Sequence, residues 1–333
     1  MEVLIIDNYP DPWLSEMQAL PVKVNYFPNA DRELALALLA TANILVLNSK
    51  IKVDREAIDH APHLQMVIRA GVGMDHIDQE YLREKGIRAE FTAGANADSV
   101  GEQTVGMLLT LRHHLMSADR EVRQFFWRRE SNRGSEIGGK TIGIIGYGHT
   151  GQAVARRLSG FGMKVLAYDK YRKGFSDQYV KEATMEQIYQ EATIITFHVP
   201  LTAETRRMAN DAFFTRFRHP ITLLNLARGP IVELPALLRA IDHGQVVAAA
   251  LDVLPNEKLD TLSSEERIAY KNLFSRNEVL LSPHIGGWSH ESLDNINRRI
   301  LAYVEEMLPE QKHFPEVLKV DLSDEAQDMP TAS

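Results

Sequence analysis

Short apolar runs alternate with polar, helix-compatible stretches along most of the chain. Residues 3–7, 23–27, 44–48, 65–69 and 88–91 read as strands, and stretches at 32–39, 54–60 and 79–85 place apolar residues at helical spacing. Such alternation predicts a small parallel α/β sheet. A long helical pattern from 99 to about 126 follows, then a polar, basic segment at 127–139. Strands recur at 141–145, 164–168, 193–198, 221–225, 246–252 and 278–282, with a helical stretch around 264–274 before the last. A final helix is expected at about 289–307, after the last strand. That position predicts that the chain crosses back to finish its first unit. The expected fold class is α/β, with two doubly wound parallel-sheet domains. A Rossmann domain at 100–285 would be inserted into a discontinuous, flavodoxin-like substrate domain made of 1–99 and 286–333. From Glu316 onward the chain is polar with little periodicity, and an arm or disorder is expected there.

The run Thr141–Ile145 is followed at once by Gly146-Tyr147-Gly148-His149-Thr150-Gly151, a G-x-G-x-x-G loop. This loop normally closes the first strand-to-helix turn of a dinucleotide-binding fold. Here 145 residues precede it, so a substantial unit folds first. A lone glycine loop is weak evidence, but its flanks agree. Ala153, Val154, Leu158 and Phe161 follow at helical spacing, and the next apolar strand ends in Asp169, 23 residues after Gly146. The glycines allow close backbone approach, and the helix N-terminus faces the pyrophosphate. Asp169 can take both ribose hydroxyls and would repel a 2′-phosphate, so NAD is favoured. Lys170, Arg172 and Lys173 could partly offset that repulsion, which keeps dual use open.

Length and composition narrow the class. A chain of 333 residues suggests about two domains, and 44% hydrophobic content is enough for real cores. With 37 basic and 45 acidic residues the net charge is −8, which argues against a nucleic-acid footprint. There is no cysteine, so disulfides and thiolate metal sites are excluded. His60, His63, His113 and His114 match no metal motif, and no metal is expected. The opening residues read as a strand and not as a signal peptide, and no apolar stretch approaches spanning length. A cytoplasmic protein acting on a small molecule is expected.

In open α/β sheets ligands bind beyond the carboxyl ends of the strands. Asn225-Leu226-Ala227-Arg228-Gly229 ends one predicted strand, and Asp252 ends the next, with Glu257 five residues later. Ser282-Pro283-His284-Ile285-Gly286-Gly287 ends the last. Taken singly, a strand-end arginine or a loop histidine is unremarkable surface chemistry. Their arrival at consecutive strand ends carries the reading. Arg228 suits a substrate carboxylate, His284 suits a base of near-neutral pKa, and Glu257 suits a partner that fixes the histidine tautomer. Asp252 could instead contact the nicotinamide side.

Several stretches resemble the D-isomer-specific 2-hydroxyacid dehydrogenases. They are Arg69-Ala70-Gly71-Val72-Gly73-Met74-Asp75-His76-Ile77-Asp78, the glycine loop with Tyr168-Asp169, and His198-Val199-Pro200-Leu201-Thr202. Residues 225–229, Ala250-Leu251-Asp252-Val253 and residues 282–287 complete the series. The resemblance runs to about residue 310. It implies that Arg228, Glu257 and His284 are catalytic. It also implies cofactor contacts at Gly146, Gly148, His149, Thr150, Gly151, Asp169, Val199, Pro200, Leu226, Ala227, Asp252 and Gly286. The substrate carboxylate would rest on the backbone of Gly71-Val72-Gly73, beside Arg228 and Asn96. A closing cleft and a homodimer through the cofactor domain are implied as well.

Within the family, phosphoglycerate dehydrogenases are the nearest likeness, with serine biosynthesis as the expected setting. Two departures stand out. Where those enzymes carry arginine before serine for the phosphate, this chain has Asn48-Ser49; Ser49, Lys50 and Lys52 are substitutes, as are Arg128, Arg129 or Arg133 from the linker or a partner subunit. Lys258 stands in place of the proline after the glutamate, and the helical stretch around 264–274 leaves the placement of Glu257 open. Hydroxypyruvate, glyoxylate or lactate types and a non-catalytic NAD-sensing corepressor are the alternatives. Formate dehydrogenases pair their histidine with glutamine, so Glu257 argues against that chemistry.

Overall fold

The computed structural model describes residues 1–308; the tail from Glu316 lies outside the described residues. Uninterrupted apolar strands are those covered on both faces, and they occupy the sheet centres. In the first sheet these are β1 (Glu2–Ile5), β3 (Ile44–Leu47) and β4 (Met66–Arg69). The polar strands β2 (Lys23–Tyr26) and β5 (Arg88–Phe91) form its edges, in the order β2-β1-β3-β4-β5 with every pair parallel. Aspartates cap three of its helices: Asp31, Asp54 and Asp78 accept from the amides of Leu34, Ala57 and Tyr81. Each cap supplies about 1 kcal/mol of local stability.

The second sheet is parallel throughout and has seven strands. They are β6 (Thr141–Ile145), β7 (Lys164–Tyr168), β8 (Lys181–Glu182), β9 (Ile194–Phe197), β10 (Ile221–Asn225), β11 (Val246–Leu251) and β12 (Val279–Leu281). Their order is β12-β11-β10-β9-β6-β7-β8, so the winding reverses between β6 and β9. Both sheets are thus doubly wound, as the strand pattern predicts.

Two crossings join the sheets. The first leads into the helix Ala97–Arg112, where Gly101 lets the helix His149–Leu158 approach: a Cβ there would lie 3.2 Å from the Ala153 backbone. The second leads into the helix His290–Glu306, which returns to the first sheet. Ile296, Ile300 and Val304 are buried in one cluster with Val3, Ile5, Trp13, Met17 and Ile68, and Trp13 Nε1 donates to the Asn297 carbonyl (3.0 Å).

The long helix expected from 99 to 126 is in fact two, Ala97–Arg112 and Leu115–Arg123. His114 takes a left-handed backbone (φ 54°), and the Arg112 carbonyl accepts from Ser135 N–H at 2.8 Å instead of a following helical amide. The returning linker therefore ends the helix. Among the described residues no helix is long and apolar enough to cross a membrane.

If the return of the last helix completes the first sheet, Ile300→Ala should cost about 2–5 kcal/mol of stability, read from urea unfolding. A loss below about 0.5 kcal/mol, typical of a surface site, would show that this face of the helix contributes no core.

Candidate active site

The glycine loop lies where the second sheet reverses. Gly146 has φ 96°, and a Cβ there would lie 2.5 Å from the His198 carbonyl and 2.8 Å from Val199 Cγ1. At Gly151 a Cβ would meet the Gly146 carbonyl at 2.2 Å. Only glycine at both places lets β6 turn this tightly into the helix His149–Leu158. Gly148 precedes that helix without a side-chain cap, so the first-turn amides of His149 and Thr150 have no competing acceptor from it.

Asp169 follows β7, and its carboxylate accepts from the amides of Tyr147 (2.9 Å), Tyr171 (2.9 Å) and Arg172 (3.1 Å). Burial works upward on its pKa, but these amides and the Arg172 charge prevail and hold it below the usual carboxylate range. The group is therefore ionised and fixed in direction. The Arg172 guanidinium turns to the Tyr147 carbonyl. A loop with no room for side chains, an uncapped helix start and an oriented carboxylate together fit an NAD dinucleotide.

The ends of β10, β11 and β12 carry the charged groups. Asn225 is fully buried; its amide donates to the Arg228 carbonyl (3.0 Å) and its oxygen accepts from Ala227 N–H (3.1 Å), which folds the turn that aims Arg228. Arg228 Nη1 donates to the Ala227 carbonyl (2.7 Å), and Nε donates to Asp75 of the first half (3.0 Å). Its Nη2 faces the glycine-spaced loop: a Cβ on Gly73 would stand 1.8 Å away.

His284 also has a left-handed backbone (φ 56°), uncommon for a non-glycine residue. Asp252 imposes it. The Asp252 carbonyl accepts from His284 N–H (2.7 Å), while its carboxylate accepts from Ser282 Oγ (2.5 Å), Ile285 N–H (3.0 Å) and Gly286 N–H (2.8 Å). Asp252 thereby orients the histidine loop. Leu226 borders the same loop, with Cδ2 3.4 Å from the Cβ position of Gly286.

The His284 ring reaches Glu257, with Nδ1 2.9 Å from Oε2. Burial raises the Glu257 pKa, but the His284 hydrogen bond and charge outweigh it and hold the group below its ordinary value. Such a pair fixes the tautomer and favours the imidazolium, the arrangement a general base needs.

Arg69 and Asp75 were not assigned roles from sequence. Arg69 ends β4, and its guanidinium occupies the room left by Gly71: a Cβ there would lie 1.3 Å from Nη1. Burial, then the charge of Arg228, pulls the Arg69 pKa down to about 10, and its Nε is buried with no partner. Two guanidiniums thus flank Gly71-Val72-Gly73; Asp75 pairs with Arg228, and among the described residues Arg69 has no ion-pair partner. The carboxyl-end rule used for β10 to β12 would have found Arg69, had it been applied to the first sheet.

Lys50 and Asn96 were also expected at the substrate. Lys50 Nζ donates to the Pro28 carbonyl (2.6 Å), so its ammonium is engaged on a neighbouring loop. Asn96 packs where the two crossings touch, its Nδ2 2.4 Å from the Cβ position of Gly287, and Ser99 Oγ donates to the Gly286 carbonyl (2.7 Å).

Residues 105–286 match the family described as D-isomer specific 2-hydroxyacid dehydrogenase, NAD binding domain. The chain belongs to this family. The hydroxypyruvate reductase of Thermotoga maritima is 33% identical over 262 residues, covering 79% of this chain and 83% of that protein. The D-3-phosphoglycerate dehydrogenase of Mycobacterium tuberculosis is 32% identical over 275 residues, covering 82% of this chain and 50% of that protein. The D-lactate dehydrogenase of Aquifex aeolicus, solved with NAD and lactic acid, superposes with a TM-score of 0.80 at 27% identity, over 92% of this chain and 94% of that one. As a member of the family, this dehydrogenase is an NAD-dependent oxidoreductase acting on CH–OH donors.

The Glu257–His284 pair has a pH signature. Because the folded Glu257 pKa is lowered, the pair stabilises the dehydrogenase above the ordinary value of 4.5, and that stability is lost as pH falls through the folded value. Glu257→Gln should therefore lose less stability than the parent on going below pH 4.5, measured as urea midpoints. Parallel curves would show that the carboxylate is not paired in solution.

Proposed function

We propose that this dehydrogenase oxidises a D-2-hydroxy acid bearing a second anionic group, in the manner of 3-phosphoglycerate dehydrogenases, as a cytoplasmic homodimer. One observation supports this above the rest: Arg69 and Arg228 both face the Gly71–Gly73 loop, beside the Glu257–His284 pair. Arg228 is already paired with Asp75 and offers Nη2 to a carboxylate, whereas Arg69 has no ion-pair partner among the described residues, and a second anionic group on the substrate would supply one.

The proposed roles follow from the contacts. Asp75 and the Ala227 carbonyl hold Arg228 so that Nη2 is left for the substrate carboxylate, which the amides of Gly71 to Gly73 also receive. His284 Nδ1 is committed to Glu257, so Nε2 is the nitrogen that takes the hydroxyl proton. Glu257 stabilises the imidazolium that results. NAD, when bound, supplies the hydride acceptor. Gly146 to Gly151, Asp169, Val199, Pro200, Leu226, Ala227 and Gly286 would hold it, and Asp252 contributes by fixing the His284 loop. Residues 1–99 with 286–333 would form the substrate unit and 100–285 the cofactor unit, which the buried return of Ile296, Ile300 and Val304 supports.

For the homodimer, the support is an exposed apolar face. The helix Leu115–Arg123 buries none of its residues, and beyond it Phe125 and Trp127 are 99% and 79% exposed. A surface this apolar on a charged protein fits a second copy.

Hydroxypyruvate or glyoxylate reduction is the second reading, favoured by the Thermotoga relative. A panel of D-2-hydroxy acids with NAD, including 3-phosphoglycerate, glycerate and lactate, should give the highest kcat/KM for the phosphorylated acid. Preference for a monoanion would overturn the substrate reading, and NADH binding without any turnover would point to a sensor.

Two variants test the roles. His284→Ala should lower kcat by about 10²–10⁴ while NADH affinity is kept. Arg69→Ala should raise KM for a dianionic substrate at least about tenfold, a loss of about 1.4 kcal/mol, and change KM for a monocarboxylate much less. An equal effect on both substrates would remove Arg69 from selectivity.

A further inference from the structure

Glu257 stands on a loop with no regular structure of its own, followed by Lys258. A carboxylate on such a loop would wander, yet here it meets His284 at 2.9 Å. The restraint comes from the helix Ser264–Phe274. A reciprocal cap starts that helix: Ser263 Oγ accepts from Glu266 N–H (3.2 Å) and Glu266 accepts from Ser263 N–H (2.8 Å). Tyr270 and Leu273, one turn apart, bury themselves in the core with Leu237, Ile241, Val246 and Leu251.

From this anchored position the Tyr270 hydroxyl meets both backbone groups of one residue. It accepts from Asn256 N–H at 2.8 Å and donates to the Asn256 carbonyl at 3.0 Å. The Asn256 side chain extends the tether, since its oxygen accepts from Lys258 N–H (3.0 Å) and its amide nitrogen reaches Thr261 Oγ1 (3.4 Å). Glu257 is therefore bracketed by tied residues. On the outer side a cavity of about 420 Å³ opens between Pro255, Tyr270, Glu265 and Arg206, so packing alone does not hold the loop from that direction.

We propose that Tyr270 is a positioning residue for the acid–base pair: its hydroxyl fixes the Asn256 peptide and so sets the Glu257 carboxylate against His284. The proposal rests on the reading that this pair handles the substrate proton. The helix Ser264–Phe274 then has a job beyond burial. Its hydrogen bonds supply the rigidity that a proline at position 258 would otherwise give the loop.

Tyr270→Phe keeps the ring and removes only the hydroxyl. We expect kcat to fall about tenfold, with KM and NADH affinity unchanged, because one positioning contact is lost and no substrate contact is. In a Glu257→Gln background the same change should cost nothing further; additive losses would overturn the proposal. A second measurement needs no turnover: the Glu257 carboxylate, followed by carbon NMR, should titrate at higher pH in Tyr270→Phe. An unchanged titration would also overturn it, whereas a raised titration in a protein that turns over no acid would refute the enzymatic reading and leave the positioning intact. Should Tyr270→Phe not fold, Asn256→Pro removes the N–H that donates to the Tyr270 hydroxyl and so tests the same tether from the loop side. It should raise the Glu257 titration if the proposal holds, and no change there refutes it.

Discussion

The buried carboxylate of Asp252 is the point on which the site depends. Only 2% exposed, it would be costly as an isolated charge, and three donors offset that cost: the Ser282 hydroxyl and the amides of Ile285 and Gly286. Satisfying one charge bends the chain after β12 so that His284 enters a left-handed conformation and its ring reaches Glu257. The same bend delivers Gly286 and Gly287 to Ser99 and Asn96, where the chain leaves for the first sheet. The base and the return crossing are therefore set by one group, and neither can be adjusted alone.

Much of this was legible because it is local. Apolar runs bounded by glycine or polar residues mark fully covered strands, and ten or more of them in alternation with helices define parallel sheets. The glycine loop and the strand-end polar residues were legible for the same reason, since their chemistry lies within a few residues of a strand terminus. The helix at 264–274 also announced itself through its own spacing, while its Ser263–Glu266 cap is a finding of the structure.

What stayed hidden depends on partners distant in the chain. The break at His114 has no local sign, because Leu109, Leu111, Leu115 and Met116 keep the pattern apolar across it. The break exists because Ser135, 23 residues past Arg112, takes that residue's carbonyl. Lys50 looked like a free cation until the fold brought the Pro28 carbonyl to it. Asp75 and Arg228 are 153 positions apart, and no sequence spacing links them. Asp252 showed its charge in the sequence, but its donors could be read only once β12 lay beside β11.

The two guanidiniums and the two glycines they face also constrain how this sequence can drift. A methyl group at position 71 would overlap Arg69, and one at position 73 would overlap Arg228, each at less than 2 Å. Neither glycine can be exchanged while its arginine stays where it is. A side chain at either position would displace the end of its arginine, and at position 71 it would also have to adopt a backbone (φ 147°) that L-residues rarely take, so filling either position moves a cation out of the site.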